Sequence, residues 1–319
     1  FFKAITGSTD YDKQLNELAS QTSDVEAIYE HLVIDDIRAV ADLLKSTYDK
    51  TDGADGYVSL EVNPNLAHET DKTIEEAKRL FETVNRKNLM IKVPATPAGI
   101  PAIRTLIGKG INVNVTLIFS LQAYSNVRQA YLLGLNDFDN IGGDLSSVAS
   151  VASFFVSRVD TLVDSRLGQV DVKSETRVKD LLGKAAIVNA KLAYQDFKKD
   201  FYSEKFIGLK RKNARVQRPL WASTGTKNPE YSDVLYPDSL IGNDTVNTMP
   251  DATLESFLDH GCVANSLTKD EGQLEEYFNQ LKSYNINIDD ITSELLEDGV
   301  KQFVDSYNEL IGAIESKSL

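Results

Sequence analysis

The sequence predicts an α/β fold whose parallel strands curl toward a barrel, and three observations carry that prediction. Strand-like and helix-like segments alternate six times with no second composition regime, the signature of strand–helix units around a parallel sheet. Three successive strands are polar on one face. Ser59 and Glu61 alternate with Val58, Leu60 and Val62; Lys92 lies between Ile91 and Val93; Asn112, Asn114 and Thr116 alternate with Ile111, Val113 and Val115. An open sheet covered by helices on both sides would bury those polar groups against apolar helices. A barrel turns the apolar face to the outer helices and the polar face to the lumen. The length, 319 residues, fits one large barrel or two smaller domains.

Taken in order, residues 8 to 48 read as helical. Ser8 is the expected N-cap of the first helix and Ser23-Asp24 of the second, because short polar side chains can accept from the free amides of a first turn. Asp55-Gly56 ends this region, and the first strand is expected over Tyr57 to Asn63. A helix over 68–85 leads to the second strand, Asn88 to Thr96, and a short helix ended by Gly110 comes next. The third strand runs from Ile111 to Phe119, with a helix over 120–134 behind it. A looser surface stretch is expected from Leu135 to Asp144, which carries Gly142-Gly143. The fourth strand with its exit loop ends in SFFVSRVD, and a long helix is expected from about Lys173 to Tyr202. Strand five spans Arg218 to Thr224 and strand six Asp244 to Pro250. Three helices, 252–261, 269–285 and 289–316, close the chain.

Composition limits the partners. The chain is 42% hydrophobic and 26% charged, with a net charge of −14 and a pI near 4.8. Such acidity argues against nucleic acid or an anionic membrane as the main partner. The basic residues Lys205, Lys210, Arg211, Lys212 and Arg215 cluster, but few aromatics interleave them, so a solvated face is expected. A single cysteine, Cys262, excludes an internal disulfide and suits a reducing, cytoplasmic setting. It is expected to pack at a helix end rather than to act as a nucleophile. No apolar run reaches membrane-spanning length and no signal peptide is recognisable. His31 and His68 have no metal-ligand spacing and read as structural.

The chemistry centres on Lys92. An ammonium in a strand interior needs partners or a lowered pKa. A lysine held neutral there can attack a carbonyl and form an imine; the plainer reading is an edge lysine whose head reaches water. If the first three strands are neighbours, Glu61, Lys92, Asn114 and Thr116 converge in one lumen. There a carboxylate and a hydroxyl can orient a water for proton transfer. Desolvation would have to lower the lysine, because a neighbouring anion raises it.

The runs IKVPAT-x2-GI, GINVNVTLIFS, SFFVSRVD and WASTGTKNP, together with the tail ITSELLEDGVKQFVDSYNELI, closely resemble the transaldolase family across essentially the whole chain. The resemblance implies a class I aldolase (β/α)8 TIM-type barrel without metal or organic cofactor. It also implies transfer of a dihydroxyacetone unit from a ketose phosphate (sedoheptulose 7-phosphate or fructose 6-phosphate) to an aldose phosphate (glyceraldehyde 3-phosphate or erythrose 4-phosphate) in the pentose phosphate pathway. By position, Lys92 matches the Schiff-base lysine, and Glu61 with Thr116 the pair that holds the catalytic water. Asn114 matches an asparagine contacting the three-carbon unit, and Ser153 and Phe155 match residues around substrate. Arg158 matches the phosphate-binding arginine and Ser223 a serine near the same phosphate. Lys227 is the candidate for a second phosphate cation, as a point charge without the bidentate geometry of arginine.

Departures are confined to the front. The family pattern has two further strands, the first with an acid/base aspartate and the second ending in a T-S-N-P-like run. Phe1 to Ile5 resembles the family's residues just after that run, and no aspartate here matches the acid/base by position. A single barrel domain over 1–319 with six strand–helix units, N-terminally incomplete, is therefore expected. The resemblance leaves a homodimer open. The competing readings are another class I aldolase, such as one that releases free dihydroxyacetone from fructose 6-phosphate, and a non-catalytic sugar-phosphate-binding barrel.

Overall fold

Six parallel strands pair in chain order, each with the next: β1 (Val58–Glu61), β2 (Leu89–Pro94), β3 (Val113–Ile118), β4 (Ser150–Phe155), β5 (Arg218–Ala222) and β6 (Val246–Asn247). The computed structural model describes residues 5, 7–170, 178–269, 272 and 274–318. Strands added one after another, all parallel, form the wall of a barrel, since each crossover must return on the same side. Here the wall is a curled half-barrel with helices on its outer face. Among the described residues, no helix is long and apolar enough to cross a membrane.

The helices follow from their apolar spacing. Two precede the sheet, α1 (Asp12–Ala19) and α2 (Val25–Lys50); the Asp24 side chain accepts from the Ala27 amide and caps α2 as expected. Helix α3 (Thr70–Val84) buries Thr73, Ala77, Leu80 and Val84, a stripe spaced four, three and four residues apart that faces β2. Burying one such leucine contributes about 1.5–3 kcal/mol, so Leu80→Asp would detach this helix. The outer layer continues with α4 (Gly99–Ile107), α5 (Leu121–Asn140), α6 (Ser157–Leu167), α7 (Ala185–Phe201) and α8 (Glu204–Lys210). It ends with α9 (Leu235–Ser239), α10 (Asp251–His260), α11 (Leu274–Ser283) and α12 (Ile288–Ser318). A second, smaller core of Ile5, Leu15, Ile28, Leu32, Leu310 and Ile314 fastens the end of α12 to α1 and α2.

Two of the sequence motifs are explained by packing. In IKVPAT-x2-GI, the Thr96 hydroxyl accepts from the Gly99 amide and donates to the Ala67 carbonyl. A Cβ at Gly99 would stand 2.0 Å from the Pro94 carbonyl oxygen, so only glycine lets α4 begin against the end of β2. In GINVNVTLIFS, Asn112 does structural work: its side-chain amide donates to the Lys87 and Leu89 carbonyls and accepts from the Ala149 amide.

Several expectations are corrected. Ser8 does not cap α1; that helix begins at Asp12 after Tyr11, and the Ser8 hydroxyl accepts from the Asp10 amide instead. The stretch from Leu135 is not loose, because α5 runs on to Asn140 with Leu135 fully buried, and only then does Gly142 turn at φ +80°. The exit loop after β4 is the first turn of α6. The long helix begins at Ala185 rather than near Lys173; residues 171–177, like Phe1 to Ala4 and the Lys205 side chain, lie outside the described residues. Cys262 is exposed, and its backbone amide, not its thiol, is anchored, donating to Asp238. In the basic cluster Lys210, Arg211 and Lys212 are exposed as expected, Lys212 pairing with Asp139, while Arg215 is half-buried and donates to the carbonyls of Ser146 and Asp52.

Candidate active site

Strand register brings the polar residues to one level. Glu61 lies opposite Lys92, and Lys92 opposite Asn114, so three neighbouring strands present a carboxylate, an amine and an amide side by side. The Lys92 Nζ stands 3.2 Å from the Glu61 Oε2, with both side chains about a quarter exposed (25% and 29%), so the pair faces a partly open space rather than a sealed core. Burial pushes the Glu61 carboxyl above its ordinary value, and the neighbouring Lys92 ammonium only partly opposes it. A carboxylate so raised is a better proton acceptor, which the exchange of a proton with the amine requires.

Asn114 is oriented at both ends. Its amide nitrogen donates to the Ser59 hydroxyl at 3.0 Å, and its carbonyl oxygen accepts from the Ser153 hydroxyl at 2.7 Å. This chain of polar side chains crosses from β1 through β3 to β4 on the lumen face. Thr116, two residues beyond Asn114, is buried on the same face. Immediately after it, Leu117 adopts φ +59° and the β3–β4 register shifts. A left-handed leucine is strained, and strain of this kind gathers at functional sites.

A second group forms where β4 and β5 end. Ser223 follows β5 with φ +57°, its hydroxyl 2.9 Å from that of Ser157, the first residue of α6. Arg158 is the second residue of that helix. Its guanidinium lies 5.5 Å from the centre of the Phe155 ring, and its Nη1 is buried without a hydrogen-bond partner. Burial lowers its pKa, against the pull of Asp298 on α12. A helix start, an unsatisfied guanidinium nitrogen and two hydroxyls make an anion-binding arrangement.

Lys227 is not drawn into this group: it is exposed on the loop after β5 and makes no ion pair among the described residues. Conversely, the sequence reading misses Phe303 of α12, although the Lys92 Nζ stands 5.4 Å from its ring centre. It also takes Ser59 and Ser157 only as strand or motif members, not as partners. The signal for Phe303 is its place in the GVKQF run of the tail, whose contact with β2 spans about two hundred residues of sequence and is invisible without the fold. A cavity of about 680 Å³ beside β1 is lined by Glu61, Asn63, Phe303 and Tyr307. Among the described residues no group of three or more His, Cys, Asp or Glu side chains could hold a metal ion.

Comparison with known proteins identifies the family. The transaldolase/fructose-6-phosphate aldolase family matches residues 1–314. The protein named transaldolase in Mycolicibacterium smegmatis is 48% identical over 318 residues, covering 99% of this chain and 85% of its own length. The one in Mycobacterium tuberculosis is 46% identical over 313 residues, covering 98% of this chain and 83% of its own length.

Proposed function

The chain belongs to the transaldolase/fructose-6-phosphate aldolase family and functions as a transaldolase, a transferase of sugar-phosphate metabolism, and from that premise we propose that it works through an imine on Lys92. The observation that carries this reading is the 3.2 Å approach of Lys92 to a carboxylate whose proton affinity burial has raised.

In this reading Lys92, its proton taken up by Glu61, attacks the ketone carbon of a ketose phosphate, and loss of water gives an iminium ion. Removal of the proton from the neighbouring hydroxyl breaks the carbon–carbon bond and releases an aldose phosphate. The three-carbon dihydroxyacetone unit stays on Lys92 as an enamine, which adds to a second aldose phosphate; water then frees the product. Glu61 and Thr116 hold the water that moves these protons, while Asn114, fixed by Ser59 and Ser153, meets the hydroxyls of the three-carbon unit. Phe155 walls the substrate, and Arg158 with Ser223 takes the phosphate. Lys227 supplies a further cation if its loop closes on the substrate. The reaction belongs to the pentose phosphate pathway and is expected in the cytoplasm. Release of free ketone as the main reaction is not favoured by the relatives' names.

Borohydride reduction in the presence of fructose 6-phosphate tests the central step. A three-carbon mass should appear on the peptide containing Lys92 and be missing in Lys92→Ala. A wild-type protein that turns over sugar phosphates yet gives no adduct would overturn the imine.

A further inference from the structure

Helix α12 comes up against the end of β3 at Gly299. A Cβ there would lie 3.0 Å from Leu117 Cδ2, so the helix rests on the left-handed residue that follows Thr116. One turn later on the same helix face stands Phe303, 5.4 Å from the Lys92 amine. One turn further, the Tyr307 ring meets Tyr29 edge-on at 5.5 Å, and its hydroxyl accepts from Asn63 at 3.4 Å. The helix is thus pinned on either side of Phe303. Phe303 also lines the cavity beside β1, together with Glu61, the carboxylate 3.2 Å from the Lys92 amine.

We propose that Phe303 is a specificity-determining residue that keeps water from the Lys92-bound three-carbon unit until an acceptor aldehyde arrives. The inference rests on the imine reading above. Two fates compete for the bound enamine. Its carbon can bond to the acceptor's carbonyl carbon while the aldehyde oxygen takes a proton, after which water adds to the iminium carbon, the C–N bond breaks and the longer sugar leaves. Alternatively the enamine carbon takes a proton, water adds directly, the C–N bond breaks and free dihydroxyacetone leaves. Both routes consume one water and regenerate the amine, but the second needs water at the iminium before the acceptor. An apolar ring beside the nitrogen obstructs that water, while the neutral enamine loses nothing by the apolar contact.

The test compares Phe303→Leu with Phe303→Gln, two variants of similar volume at a half-buried position, alongside Phe303→Ala. Each is incubated with fructose 6-phosphate, with and without erythrose 4-phosphate, and free dihydroxyacetone is measured per transfer product. The Gln and Ala variants should raise that ratio about tenfold, equivalent to about 1.4 kcal/mol between the two routes, while Leu stays near the parent. Borohydride labelling of Lys92 is run on every protein. A parent without the label overturns the imine reading and this inference with it. Labelled Gln and Leu variants that both partition like the parent overturn this inference alone.

Discussion

The hydroxyls of Ser157 and Ser223 share a hydrogen bond of 2.9 Å that ties the first turn of α6 to the end of β5. A backbone bond reinforces it, the Ser157 amide donating to the Ser223 carbonyl at 3.0 Å. The bond holds Arg158 where its unsatisfied Nη1 can meet an anion. Arg158→Met should therefore lower kcat/KM for a phosphorylated donor by ten- to a hundredfold, the loss of about 1.5–3 kcal/mol from a charge-assisted hydrogen bond. Reaction with unphosphorylated fructose at high concentration should change far less. Equal losses on both sugars would show that Arg158 does not bind the phosphate.

Glu61 should set the acid limb of the rate profile. Its carboxyl is raised, chiefly by burial, and a base is useful only when ionised. Activity should then fall as pH drops through a value above the ordinary carboxylate range. In Glu61→Gln the residual rate should be low and that limb absent. A limb that persists unchanged in the Gln variant would assign it to another group.

Asp160 makes stability depend on pH. It is 1% exposed, accepts from the Ala186 amide at 2.7 Å and the Tyr236 hydroxyl at 2.9 Å, and is pushed up to about 7, mainly by burial. The folded state therefore holds a proton that the unfolded chain has lost between its ordinary value of 3.8 and about 7. The unfolded state binds fewer protons in that window, so stability falls as pH rises through it, by on the order of 4 kcal/mol, and is flat above. Urea denaturation from pH 4 to 8 should show the fall in the parent and lose it in Asp160→Asn. An equal slope in both would place the titration elsewhere.

The ion pair of Arg128 with Asp200 links α5 to α7 at 2.6 Å, with the arginine side chain 6% exposed. Asp200→Ala leaves a buried guanidinium alone and should cost about 3–5 kcal/mol in urea denaturation. Imine labelling of Lys92 in the protein that remains folded should be unaltered, since neither residue belongs to the lumen group. A cost below about 1 kcal/mol would class the pair with surface bridges.

Much of the site was legible because strands alternate by two. Glu61, Lys92, Asn114 and Thr116 announced themselves as polar residues on strands otherwise apolar, and the register sets the first three abreast with Thr116 two residues on. The end of α5 and the start of α6 were misjudged for local reasons. Asn136, Asp137 and Asp139 look like loop residues, but Arg104 binds Asp137 and Lys212 binds Asp139, which holds the helix through them. The SRVD segment reads as a loop, yet the Asp160 carboxylate, buried under α7, makes it the beginning of α6.

By itself the sequence determined the strand–helix alternation, the polar lumen and the chemical identity of its central lysine, since each is a matter of residue type at short spacing. Only the tertiary structure decided what surrounds that lysine. Phe303 reaches Lys92 because Gly299, lacking a Cβ, lets α12 settle on Leu117, and because the Leu310 and Ile314 core holds the helix end to α1 and α2. Such contacts join residues about two hundred positions apart through packing, and no local spacing encodes them.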